Sequence, residues 1–131
     1  MTAGEEKLVS YLEVIIRRTQ AAEIEWRQSS ASTLSWVKTE GDSSYVTSLQ
    51  RSGSPPNPLF KAAGMEPIGY SYLFQVSRRP SKDARFATII SLNSQEKPNL
   101  TPSLEKLYQL AESAVDLQAA SVLKHLLKQN P

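Results

Sequence analysis

Side-chain chemistry needs groups that ionise, attack or ligate, and this chain is short of them. Of its 131 residues none is cysteine and one, His125, is histidine. A zinc site needs about four thiolate or imidazole ligands, so that class is excluded. A Cys–His nucleophile pair is excluded too, and a Ser–His–Asp triad would have to be built on His125. His125 stands beside Lys124 late in an apolar-periodic segment, where a cationic side chain favours a helix C-terminus. That reading is preferred to catalysis, since spacing names no serine or aspartate partner. The glycines at 4, 41, 53, 64 and 69 are never closer than five residues apart, so no Gly-rich phosphate loop exists. Glu23 and Glu25 point apart on a helix, and Glu40 with Asp42 flank a turn. Such pairs serve glycosidase chemistry only across a cleft of defined width, and solvated acids are the simpler reading. The run 40–44 holds too few oxygen ligands for a calcium loop. No metal or other cofactor is expected, and catalysis is not expected.

Two groups of residues remain as candidates for binding. Arg78, Arg79, Lys82 and Arg85 surround one hairpin tip, and Arg51 joins them if the sheet is compact. Next to Tyr70, Tyr72 and Phe74 they could hold single-stranded nucleic acid by phosphate contacts and stacking. Those aromatics share a face with Val76, however. A buried core face, with the arginines as a solvated turn, is the stronger reading. The second group is Leu59, Phe60 and Met65, within a segment (52–69) that holds four of the eight prolines. It is too long for an ordinary connection in a compact domain. Such loops are often functional, and proline lowers the cost of ordering them on a partner.

The elements that position these residues are legible in outline. From Glu5 to about Gln28 there is no proline or glycine. Leu8, Leu12, Ile15, Thr19, Ala22 and Trp26 recur at steps of three and four, which predicts one amphipathic helix. The serines of 29–32 are expected to end it. Residues 33–38 and 45–50 are β-branched and aromatic, with a turn at 40–43, and read as a hairpin. Within the long loop, Asn57, Pro58 and Gly64 mark the start and end of a short helical turn. Residues 70–76 and 85–92 form a second hairpin, the latter with Phe86, Thr88, Ile90 and Leu92 on one face. Thr101-Pro102 opens a C-terminal helix carrying Leu104, Leu107, Tyr108, Ala111, Ala114, Val115, Val122, Leu126 and Leu127. A break near Val115 is expected, because an unbroken helix would be unusually long for a small domain. The order predicts an α+β fold over 1–131 as a single domain. It has a four-stranded antiparallel sheet, an N-terminal helix, the helical turn, and one or two C-terminal helices.

Thr33-x-x-Trp36, Lys38-Thr39, 42–45, Tyr70-x-Tyr72-Leu73-x-x-Val76 and Leu107-Tyr108-x-x-Ala111 resemble a diffuse group of small bacterial and phage-type domains. Those are built as a helix, four strands and a helix. The resemblance spans roughly residues 8–127 and implies architecture alone, since no activity is attached to that group.

The bulk numbers agree with a modest globular domain. Apolar residues make up 40% and charged residues 21%, with a formal charge of +2. The acidic start, Glu5-Glu6, does not suit a signal peptide, and no apolar run approaches membrane length. A cytoplasmic protein with no membrane association is expected. Its expected work is non-enzymatic: binding a protein partner or a second copy of itself as a homodimer, through Leu59, Phe60 and Met65, the sheet edges or an open sheet face. Nucleic-acid binding through Arg78, Arg79, Lys82 and Arg85 is the alternative.

Overall fold

The computed structural model describes residues 3–54, 59, 62–64 and 69–128. Helix α1 (Ala3–Gln20) is followed by strands β1 (Arg27–Ser30), β2 (Thr33–Glu40), β3 (Ser43–Ser52), β4 (Ser71–Arg79) and β5 (Ala87–Asn93). A 3-10 turn (Pro98–Leu100) then leads into helix α2 (Thr101–Lys128). The fold is α+β, with an open five-stranded antiparallel sheet in the order β1-β2-β3-β4-β5.

The sheet has one strand more than the four expected. The serine run that was read as ending a helix instead forms β1, with a register shift between Gln28 and Ser30 and a turn back to Thr33. The first helix therefore ends at Gln20, not near Gln28. Its last turn closes with Glu23 N–H donating to Arg18 O (2.9 Å) and Ala22 N–H donating to Thr19 O (3.1 Å). That is the paired-bond stop normally made with glycine, here with Ala22 at φ 59°. Trp26 is fully buried all the same, and its indole N–H donates to Thr19 Oγ1 at 3.0 Å. It meets Trp36 edge-on, with ring centroids 4.6 Å apart.

Both helices lie on one face of the sheet. Register places Leu34, Leu49, Phe74 and Leu92 in one cross-strand row. All four are buried against Leu12 and Ile16 of α1 and Leu104, Leu107, Tyr108 and Ala111 of α2. The other face carries Thr33, Ser35, Ser48, Gln75 and Ser91 around Val37, Val46 and Leu73. This polar surface suits a sheet with one wet side. A register shift at Val76/Ser77 makes Ile89 an extra residue in β5, so Thr88 pairs with Ser77. Thr88 thus leaves the face it was expected to share with Ile90 and Leu92.

Helix α2 runs unbroken for 28 residues, without the expected break near Val115. No glycine or proline interrupts it after Pro102, and Ala, Leu, Lys and Gln fill its second half. The described part of the central helical turn is Leu59 and Ala62–Gly64. Ala63 N–H donates to Leu59 O at 3.1 Å, and Gly64 takes φ 80°. The rest of that turn lies outside the described residues.

Candidate functional site

The four basic residues of the β4–β5 hairpin do not form one patch. Arg78 and Arg79 are neighbours on a strand and so take opposite faces. Arg78 lies over the Tyr45 ring (5.8 Å) on the helix side of the sheet. Arg79 lies over Phe86 (4.9 Å), and its Nε is buried with no hydrogen-bond partner among the described residues. Lys82 and Arg85 are exposed in the turn. The aromatics proposed as stacking partners are not available beside them, because Tyr72 and Phe74 are buried under the helices. Leu59 is 72% exposed, whereas Phe60 and Met65 lie outside the described residues.

Arg51, expected near this hairpin, is at the other end of the sheet. It pairs with Tyr72 while Ser44 pairs with Arg79, a separation of roughly 23 Å along the strand. Its guanidinium lies over Tyr70 (4.2 Å) and Tyr108 (4.4 Å), with Glu112 Oε2 at 3.9 Å. This cluster joins β3, β4 and α2. Burial pushes the Tyr72 and Tyr108 hydroxyls above the ordinary tyrosine range. Glu105 adds to the effect at Tyr72 and Glu112 at Tyr108, and Arg51 opposes it at both. Both hydroxyls therefore move away from neutrality, the wrong direction for proton transfer near pH 7. The arrangement reads as a clamp holding α2 on the sheet.

The helices do not cover the whole sheet face. Beyond the buried row lies a second row, Trp36, Thr47, Val76 and Ile90. With Leu8, Tyr11, Leu12 and Ile15 of α1 it bounds an apolar cleft of about 190 Å³. One row further out stand Lys38, Tyr45 and Arg78, about 7 Å beyond the floor. Lys38 pairs with Glu40 at 3.3 Å, with both side chains well exposed. Two wider grooves, about 540 and 510 Å³, follow the seam between the α1 end and α2. They carry mixed charges such as Glu23, Glu25, Arg17 and Lys106, and look like packing seams.

A second surface that the described residues leave uncovered is on α2. At 1.5 Å per residue α2 is about 42 Å long and α1 about 27 Å, so α2 overhangs. Its buried residues end at Ala111, and from Asp116 to Lys128 every residue is exposed. Leu117, Val122, Leu123, Leu126 and Leu127 are each 54–72% exposed. Ala119, Val122, Leu123, Leu126 and Leu127 follow steps of three and four, while Gln118, Ser121, Lys124, His125 and Lys128 take the opposite side. Sequence reading placed Val122, Leu126 and Leu127 on the C-terminal helix and named nothing that covers them. The usable signal was length, since no other described element is long enough to cover this helix.

Comparison with family models, curated proteins and solved structures finds no match for this chain. Among the described residues no helix is long and apolar enough to cross a membrane. Among the same residues no group of three or more His, Asp or Glu is placed to hold a metal.

Proposed function

We propose that this protein is a non-enzymatic interaction module that works as a homodimer, with the overhanging end of α2 as its self-association surface. The observation that carries this reading is the exposed stripe Ala119, Val122, Leu123, Leu126 and Leu127 on the end of α2, which no described element covers. An apolar stripe of this kind is the face a helix buries by packing. A second copy suits it by pattern. Antiparallel pairing of two copies sets the apolar stripe of each against that of the other, and the helix dipoles also align favourably. Antiparallel pairing also repeats every contact by two-fold symmetry.

Magnitude sets the strength. Covering five such side chains removes roughly 300–400 Å² of apolar surface per copy. A standard stable interface takes about 800 Å² per partner. The dimer is therefore weak, with a dissociation constant in the micromolar range or above. The loop carrying Leu59, Phe60 and Met65 is a second contact element for a protein partner in this reading. We place the protein in the cytosol, where a chain without cysteine loses nothing by being reduced.

Sedimentation velocity over a hundredfold concentration range tests the dimer. The wild type should shift from monomer to dimer, and Leu123→Glu with Leu126→Glu should stay monomeric with an unchanged near-ultraviolet spectrum. A wild type that remains monomeric at millimolar concentration rules the reading out. The alternative, nucleic-acid binding, draws support from the Arg79–Phe86 pair. It requires salt-sensitive binding of a single-stranded oligonucleotide that Arg78→Ala with Arg79→Ala abolishes.

A further inference from the structure

We propose that the cleft between α1 and the sheet is a binding site for a medium-chain carboxylate, an apolar chain of about six to eight carbons with an anionic head. Its floor and inner wall are Trp36, Val76, Ile90, Leu8, Tyr11 and Ile15, with Thr47 in the floor beside them. The described residues do not seal the cleft, as Tyr11 is 66% exposed and Ile90 39% exposed. A volume of about 190 Å³ holds roughly six groups the size of a water or methylene. That is too small for a drug-sized ligand, and it fits a short chain.

The rim selects the head group. Lys38, Tyr45 and Arg78 form the cross-strand row next to the floor. A chain lying on Trp36 and Val76 thus ends beside two cations and a phenol. On α1, Lys7 and Arg18 share the face of Tyr11 by helical spacing, which adds positive charge to the outer wall. Glu40, an acid on this rim row's flank, is held by Lys38 in an exposed pair. An exposed pair of that kind is weak enough to yield to a bound carboxylate. The same positive charge disfavours the α2 end of a second copy as occupant, because that end carries Lys124 and Lys128 and no acid after Asp116 up to Lys128. The site is independent of the dimer, since none of its residues belongs to α2.

The test is an amide-shift titration of the full-length ¹⁵N-labelled protein with hexanoate, octanoate, decanoate, octan-1-ol and octylammonium, each below its aggregation concentration. Octanoate should saturate with shifts at Tyr11, Ile90 and the Trp36 indole. Affinity should rise about fourfold per added methylene up to octanoate and then level off. Octan-1-ol should bind about tenfold more weakly than octanoate, and octylammonium weaker still. Lys38→Ala with Arg78→Ala should bring octanoate down to the level of octan-1-ol while leaving octan-1-ol unchanged. The proposal is overturned if octanoate does not saturate, if octylammonium binds as well as octanoate, or if affinity keeps rising with chain length and the shifts fall on residues 117–128. The ligand series uses only wild-type protein, so it stands even if the double variant fails to fold.

Discussion

Ala22 holds φ 59°, a conformation that costs a residue with a β-carbon about 1 kcal/mol and glycine almost nothing. It does so because the α1 stop needs a left-handed residue between the bonds from Ala22 to Thr19 and from Glu23 to Arg18. Ala22→Gly should therefore raise stability by about 0.5–1 kcal/mol, seen as a melting temperature a few degrees higher. Gly53 is the opposite case. It takes φ 94°, and a β-carbon there would sit 2.9 Å from the Gly69 carbonyl oxygen at the neck of the long loop. Gly53→Ala should cost about 1–3 kcal/mol, and chemical denaturation of both variants measures the two signs side by side. The same residues show what could be read beforehand. A stop built on glycine is visible in a sequence, whereas one built on alanine is not, so the stripe through Ala22 and Trp26 read as helix. Trp26 is buried as the stripe implied, although a loop and its bond to Thr19 place it, not the helical phase.

At the scale of elements, period separates what was legible from what was not. Strands β2 to β4 alternate cleanly, and β2 pairs with β3 as the hairpin read from its turn, whereas the β3–β4 pairing across the long loop had no turn to announce it. β1 is Arg-Gln-Ser-Ser, exposed at all four positions, so it carries no apolar signal and is recruited by pairing with β2. The core face of α2 was legible through Ala111, and its exposed end was not, because an apolar stripe has the same pattern whether it meets a sheet or a second chain. That end has its own prediction. Dilute, monomeric protein should exchange the amides of residues 117–128 rapidly, while those of 104–111 stay protected by the sheet. Raising the concentration should slow the former and leave the latter unchanged. Hydrogen exchange at two concentrations reads both, and an end equally protected in dilute solution would show that no partner is needed to hold it.

For the whole molecule, the strongest pH dependence expected of the clamp lies on the alkaline side. Tyr72 and Tyr108 are almost wholly buried, and burial raises both above the ordinary value of 10.0. Above pH 10 the unfolded chain loses these two protons while the fold retains them, so the folded state binds more protons than the unfolded. Stability then falls as pH rises. Their contribution is complete below pH 10 and is lost as pH climbs through the folded values. Because both rings anchor α2 through Arg51, ionising either one places a phenolate in an apolar layer and loosens helix from sheet together. Tyr72→Phe with Tyr108→Phe should flatten the decline in unfolding free energy between pH 10 and 11.5, whatever it does to stability at pH 7. The comparison of slopes isolates the two phenols from every other group that titrates in that range. If wild type and variant lose stability in parallel, the tyrosines are not what links this fold to pH. If only the wild type declines, phenolate absorbance should appear in step with the loss of near-ultraviolet dichroism, since the rings ionise only as α2 lifts from the sheet.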